Sequence, residues 1–579
     1  MRGRDTGQDQ TRVDQAAQAW LAHDPDETDR AEIEGLLAAA GGGPTGAAAR
    51  AELADRFAGS LTFGTAGLRG PLRAGPNGMN TAVVRRAAAG LAAWLNAAGS
   101  GPKTVVVGFD ARHRSAAFAR DSAQVFAGAG LRALVLPGPV PTPVLAFAVR
   151  QLAADAGVMV TASHNPATDN GYKVYLGGPV GAPERGAQLV APADEQIEAA
   201  IAAAPPATAI PLADTWTQLG DEIVAAYVAA AADTPAGAGP PPGPAPLIAY
   251  TPLHGVGLDV LRRVFAAAGL PEPLVAAAQA QPDPDFPTAP FPNPEEPGVL
   301  DLVLALGRET SADLMLANDP DADRLAVAVR PVPPRPGDAG PDSARVLTGD
   351  ELGLLLADEV LRTSSGPVAT TVVSATALRA LAARRGVRYA ETLTGFKWIV
   401  RATGDLTFGY EEALGYAVRP DLVRDKDGIT AAVVVARMAA AEAARGRTLL
   451  DRLDDLSREL GVTVTAQVSI RVPDLAASTA LTDRLRAAPP AAIGGLRVEA
   501  VRDLLHPATT LPPSDVLIIT LAEGARAVVR PSGTEPKLKI YLEAGAPVAA
   551  GAADLTTARA TATSQLARLV SWARTLSEA

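Results

Sequence analysis

Three stretches of the chain share one pattern of apolar and polar positions. A short β-branched run meets a turn, and an Ala/Leu-rich segment with apolar positions at helical spacing follows. They are KTVVVGFDARHRSAAFARDSAQVFAGAGL from Lys103, PLIAYTPLHGVGLDVLRRVFAAAGL from Pro246 and PVATTVVSATALRALAARRGV from Pro367. A strand followed by an amphipathic helix is the unit of a parallel sheet covered by helices, so its recurrence at domain-scale spacing predicts related α/β domains. Beyond about Gly461 the pattern changes. GVTVTAQVSIRV and DVLIITLAEGARAVVRPSG read as alternating strands and ATATSQLARLVSWARTL as a closing helix, which predicts an α+β domain. The start of the chain reads as helical (AEIEGLLAAA, AAARAELADRFAG), broken by GGGPTG, and predicts an extension rather than a domain.

Proline- and glycine-rich stretches at 203–215 and 330–345 mark domain edges, whereas the one at 233–246 follows a helical segment and reads as a surface loop within a domain. The organisation expected is a helical extension over 1–57, α/β domains over 58–208, 209–340 and 341–460, and an α+β domain over 461–579. Composition agrees: 579 residues exceed what one core can serve, and 48% hydrophobic with 20% charged residues excludes wholesale disorder. A net charge of -11, without a long Lys/Arg cluster, argues against nucleic acid as the main partner, so an anionic ligand must be met by local basic residues. The N-terminus lacks the apolar segment of a signal peptide and no apolar run is long enough to span a membrane, so no membrane partner is expected and the cytoplasm is the expected location. The sequence has no cysteine, which removes thiol catalysis, disulfides and cysteine-held metals.

Five segments carry candidate chemistry. In VTASHNP, Ser163 and His164 stand between the apolar run Gly157–Val160 and a proline. Serine is a poor nucleophile without a base, an oxyanion site or a metal-held phosphoryl group, and no G-x-S-x-G elbow supports a hydrolase. In ANDPDADRLAVAV, Asp319, Asp321 and Asp323 alternate after the apolar ADLMLA. Carboxylates at i, i+2 and i+4 can converge on one hard cation if the loop curls; the alternative is a solvated acidic turn. An EF-hand is a poor match, with Arg324 at its sixth position and Arg330 at its twelfth. RPSGTEPKLKIY gathers Arg530, Ser532, Gly533, Thr534 and Lys537, which can cradle a phosphate or form an ordinary turn. LTFGTAGLRGPLRAGPNGMN carries Arg69 and fits neither a Walker loop nor a dinucleotide fingerprint. FGYEEALGY places Glu411 and Glu412 on a turn, either solvated or suited to sugar hydroxyls. A serine, a three-carboxylate metal loop and a phosphate loop on different domains together describe phosphoryl transfer.

The sequence resembles the α-D-phosphohexomutase family, the phosphoglucomutases and phosphomannomutases. TASHNPATDNGYKVY is similar to that family's phosphoserine loop, DPDADR to its metal loop, GYEEALGY to its sugar loop and RPSGTEPKLKIY to its phosphate loop, in the family's order and over roughly 58–579. The resemblance implies four domains, three α/β and one α+β, around a central cleft. It implies that Ser163 is phosphorylated and that Asp319, Asp321 and Asp323 hold Mg²⁺ with the phosphoserine oxygen. By the same resemblance Arg69, His164, Lys173 and Arg324 surround the phosphoryl group, with His164 and Lys173 as candidates for proton transfer. Glu411, with Glu412 beside it, accepts sugar hydroxyls, and Arg530, Ser532, Gly533 and Thr534, with Lys537, hold the other phosphate. The implied reaction interconverts hexose 1-phosphate and hexose 6-phosphate, with glucose 1,6-bisphosphate or an equivalent as catalytic activator. One departure bears on substrate: Ala413 stands where many members carry serine, and GYEEALGY, TPLHGVG and TGFKWI resemble the branch that includes phosphopentomutases and glucose-1,6-bisphosphate synthases. The sequence does not separate a monomer from a dimer.

Overall fold

The structure is a computed structural model that describes residues 6–42, 45–64, 67–99, 101–178, 182, 184–234, 236, 245–331, 344–506, 511–531, 537–549 and 552–576. The chain divides into two compact units, one from 1–241, 245–327 and 419–433 and the other from 242–244, 328–418 and 434–579.

The first unit opens with helices Thr6–Leu21, Glu27–Ala40 and Gly46–Arg56, which bury Ala17, Ile33 and Leu53 in a small core with Ala74. Its main sheet places Thr104–Phe109 between Arg132–Pro139 and Ala156–Val160, all parallel, with Asp169–Leu176 antiparallel beside the last. These strands are apolar because both sheet faces are covered: Val105, Val107, Val158 and Val160 share one buried cluster with Leu91, Phe118 and Phe126 of the flanking helices, and Val106 and Met159, which alternate to the other face, are buried as well. Helix Thr81–Ala97 is started by Asn80, whose side chain accepts the Val83 N–H at 2.9 Å, a cap worth about 1 kcal/mol. Thr217–Gln218 pairs in parallel with Leu134–Val135. The first sheet therefore runs past residue 208, where the sequence suggested an edge, because this short strand covers the open side of Arg132–Pro139.

A second sheet in this unit sets Ile248–Thr251 between Leu314–Ala317 and Leu274–Val275, again in parallel, with the amphipathic helix Gly257–Ala267 following its central strand. The stretch 419–433 joins this unit although the sequence reading placed it among 341–460. Its two buried carboxylates explain why. Asp425 Oδ2 accepts the Tyr175 hydroxyl and the Gln188 amide at 2.7 Å each, and Asp427 accepts the Tyr227 hydroxyl at 2.9 Å.

In the second unit, Val368–Thr371 lies parallel to both Tyr389–Thr392 and Phe408–Glu411, and Gly415–Ala417 closes a hairpin with the latter. The following sheet is antiparallel, in the order Val462–Arg471, Lys537–Ala546, Arg526–Pro531, Leu517–Leu521, Leu496–Asp503 and Ala492–Ile493. Helix Ala552–Thr575 buries Leu569 and Ala573 against its apolar face. Among the described residues no helix is long and apolar enough to cross a membrane. The strand-then-helix units from Lys103, Pro246 and Pro367 thus form three α/β sheets, and the chain after Gly461 forms the α+β one.

Candidate active site

Ser163 sits where the fully buried strand Ala156–Val160 ends and the chain turns back into Asp169–Leu176. The turn is tight. Ser163 has φ 53°, a left-handed conformation unfavourable for a side-chain-bearing residue by on the order of 1 kcal/mol or more, and its N–H donates to Thr161 Oγ1 at 2.8 Å. Gly171 opposite permits it, since a Cβ there would lie 2.6 Å from the Thr161 carbonyl oxygen. Arg112, itself buried, donates to the carbonyls of Ser163 (2.6 Å), Asn165, Pro166 (2.8 Å) and Asp169 (3.1 Å). His164 places Nδ1 3.2 Å from Ser163 Oγ. Burial first, then the cationic Arg324 and Arg69, hold this imidazole well below its ordinary range, so it is neutral near pH 7.

The three aspartates follow the buried strand Leu314–Ala317. Asn318 shapes their loop by accepting the Tyr250 hydroxyl at 2.9 Å and donating to the Arg324 carbonyl at 2.5 Å, while Ala322 takes φ 53°. Gly255 lets the neighbouring loop approach, because a Cβ there would stand 2.3 Å from the backbone of Pro320. Asp319, Asp321 and Asp323 are fully buried and each offers one oxygen within 4.8 Å of the others. The Ser163 hydroxyl donates to Asp319 Oδ2 at 2.8 Å. Lys173 Nζ donates to Asp321 Oδ2 at 2.7 Å and Asp323 Oδ2 at 3.0 Å, Lys426 Nζ lies 3.2 Å from Asp323, and Thr142 Oγ1 donates to Asp321 Oδ2 at 2.6 Å.

Charge sets the character of this cluster. Burial and the carboxylates of Asp321 and Asp323 push Asp319 well up. Burial acts in the same sense on Asp323, but Lys173, Lys426 and Arg324 outweigh it and hold that carboxyl down. The Oδ1 atoms of Asp321 and Asp323 are buried and meet no hydrogen-bond partner among the described residues. Buried carboxylate oxygens without donors are costly unless a cation meets them, and an all-oxygen donor set suits a hard divalent ion such as Mg²⁺. The residues present therefore fit a metal.

Of the other residues singled out in the sequence, Arg69 donates to Asn165 Oδ1 at 3.2 Å, and Arg324 donates through its N–H to Asp319 Oδ1 at 3.0 Å and through Nη1 to Glu295 at 3.1 Å. Ser163, His164, Lys173, Arg69, Arg324 and the three aspartates are thus brought together in the first unit. Lys173 bonds the aspartates rather than the serine. Glu411, Glu412, Arg530 and Lys537 belong to the second unit. Glu411 ends the strand Phe408–Glu411 rather than sitting in the turn, since it pairs with Gly415 across the hairpin. Glu412 accepts the Ser374 hydroxyl at 2.8 Å, and burial, then Glu411 and Asp350, push it up to about 7. Arg530 faces Lys539 across two strands, and Lys537 begins the second of these. Ser532, Gly533 and Thr534 lie outside the described residues.

Sequence reasoning missed Lys426, Thr142 and Arg112. The signal for Lys426 was present in the dense charge of RDKD just before the apolar ITAAVVVA. Thr142 and Arg112 carry no comparable local mark, since each acts on a loop distant in sequence.

Comparison with known proteins accounts for the chain as four successive domains. The descriptions "Phosphoglucomutase/phosphomannomutase, alpha/beta/alpha domain I", "domain II", "domain III" and "C-terminal domain" match residues 60–206, 241–331, 348–459 and 468–556 in that order. A "Probable phosphomannomutase" of Haemophilus influenzae is 46% identical over 81% of this chain and 93% of its own length. The human "Phosphopentomutase" is 34% identical over 94% of this chain and 93% of its own. In fold, the chain is similar to a phosphoglucomutase/phosphomannomutase family protein of Burkholderia thailandensis, with a TM-score of 0.64 and 21% identity over 88% of this chain and 95% of the other. The chain belongs to the phosphoglucomutase/phosphomannomutase family and is an isomerase that acts by intramolecular phosphoryl transfer.

Proposed function

We propose that this enzyme interconverts hexose 1-phosphate and hexose 6-phosphate, with glucose or mannose as the sugar, through a phosphoserine at Ser163 and a bisphosphorylated sugar intermediate. The observation that carries the reading is the Ser163 hydroxyl 2.8 Å from Asp319, at the edge of a buried three-carboxylate cluster. Asp319, Asp321 and Asp323 would hold Mg²⁺, which when bound supplies charge neutralisation at a phosphoryl group on Ser163. Lys173 and Lys426 fix the carboxylates in one geometry. Arg69 and Arg324 meet the phosphoryl oxygens, and His164, neutral and next to Ser163 Oγ, can hold a proton at Nδ1, as Lys173 can donate one from Nζ.

The sugar hydroxyls fall to Glu411 and Glu412, and the phosphate that is not reacting to Arg530, Ser532, Gly533, Thr534 and Lys537. A catalytic sugar bisphosphate keeps Ser163 phosphorylated. Pentose 1-phosphate and 5-phosphate form the second reading, favoured by the phosphopentomutase likeness over nearly the whole chain. Turnover of glucose 1-phosphate, mannose 1-phosphate and ribose 1-phosphate, each with its bisphosphate and Mg²⁺, decides between them. A kcat/KM at least about tenfold higher for ribose 1-phosphate than for either hexose would replace the hexose reading.

A further inference from the structure

The N-terminal helices lie outside the four family domain descriptions, the first of which begins at residue 60. They are nonetheless tied into the loop that precedes helix Ser115–Gly128. Asp26, which caps helix Glu27–Ala40, and Asp29 of its first turn grip Arg114: Nη2 meets Asp26 Oδ2 at 2.5 Å, Nη1 meets Asp29 Oδ1 at 2.7 Å, and Nη2 also donates to Thr81 Oγ1 at 2.9 Å. Arg114 has φ 64°, a left-handed conformation that an arginine does not favour, and it stands where a helix ordinarily starts on Ser, Thr, Asn or Asp. Its side-chain grip on two elements holds that conformation.

Two residues earlier, Arg112 is fixed from both sides. Asp110 accepts its backbone N–H at 3.0 Å and the Ser115 hydroxyl at 2.7 Å, and the Asn170 amide donates to the His113 carbonyl at 2.9 Å. From this position the Arg112 guanidinium spans four carbonyls of the loop carrying Ser163. A planar fork with fixed donors transmits position as well as charge, because its hydrogen bonds fail together when the plane tilts.

We propose that the N-terminal helices brace the Ser163 loop through Arg114 and Arg112, making Arg112 a positioning residue whose own placement depends on Asp26 and Asp29. The proposal rests on Ser163 as the phosphoryl carrier only for its kinetic consequence. Its structural content, coupling of the N-terminal helices to the serine loop, stands apart from any substrate.

The test uses the full-length protein carrying Asp26→Asn and Asp29→Asn, changes that keep a good helix cap while removing the charge that holds Arg114. Amide hydrogen exchange across 160–171 should rise about tenfold, and kcat should fall by roughly threefold to tenfold with KM held within about twofold, since the sugar-binding groups are untouched. Faster exchange in the N-terminal helices with the serine loop unchanged would overturn the brace, as would a rise in KM at constant kcat. If the double variant fails to fold, Arg112→Lys retains the charge but loses the fork. It should accelerate exchange in 160–171 while the N-terminal helices stay protected, and an unchanged loop there would equally sink the idea. Wild-type protein that turns over no sugar phosphate yet shows the exchange coupling would refute the activity reading and leave the brace standing.

Discussion

The Ser163 hydroxyl and Asp319 Oδ2 are 2.8 Å apart although 156 positions separate them in the chain. The contact joins a turn of the first sheet to a turn of the second, both of them strained by a left-handed residue. It also means that the hydroxyl proposed to carry the phosphoryl group is already directed at the carboxylates.

In the proposed reaction Ser163→Ala removes the phosphoryl carrier and leaves Lys173 and the aspartates in place. Turnover should vanish, whereas sugar phosphate binding measured by calorimetry should stay within about threefold of wild type. Phosphate recovered on a different residue of active wild-type protein would contradict this role.

Asp321→Asn should weaken Mg²⁺ binding by at least the roughly 10–100-fold that even outer partners of a metal ligand are worth. Activity should fall with it and be partly restored at high Mg²⁺. Activity that ignores both the substitution and a chelator would exclude a metal at these aspartates.

Glu412 gives a pH dependence with a defined sign. Burial, then Glu411 and Asp350, raise its pKa from 4.5 to about 7, so the folded state favours the neutral acid. Its contribution is fully present below about pH 4.5 and is lost as pH rises through about 7, by roughly 1–3 kcal/mol. Glu412→Gln keeps the shape and cannot ionise. The Tm difference, variant minus wild type, should therefore increase from pH 5 to pH 8, and a constant difference would show that Glu412 does not titrate in this window.

In the proposed reaction Arg530→Ala removes a charge-assisted contact to the phosphate that is not reacting. A loss of ~1.5–3 kcal/mol, about tenfold to a hundredfold in kcat/KM, should appear with the 1-phosphate and the 6-phosphate alike. Unchanged kcat/KM in both directions would take the last domain out of substrate binding.

The repeated strand-then-helix pattern was legible because strands buried on both faces need continuous apolar runs, as Val105–Val107 and Val158–Val160 show. The aspartate trio was legible because its ligands are adjacent. Neither the short strand Thr217–Gln218 nor the stretch 419–433 announced its partner: two residues carry no periodicity, and the acceptors Asp425 and Asp427 find their tyrosines about two hundred positions or more away. Lys426 stood out only as one charge within RDKD. Its role depends on Asp323, which local spacing cannot supply.

The stretch 419–433 also fixes an order of events during synthesis. A ribosome finishes residues 1–327 long before it reaches Asp425 and Asp427, and until then the buried hydroxyls of Tyr175 and Tyr227 lack their acceptors. The first unit can collapse early, but it closes only after the whole of 328–418 has emerged. Lys426 is then the last charge to arrive at the aspartates, so a nascent chain halted anywhere between those points holds Ser163 and all three carboxylates without a finished site.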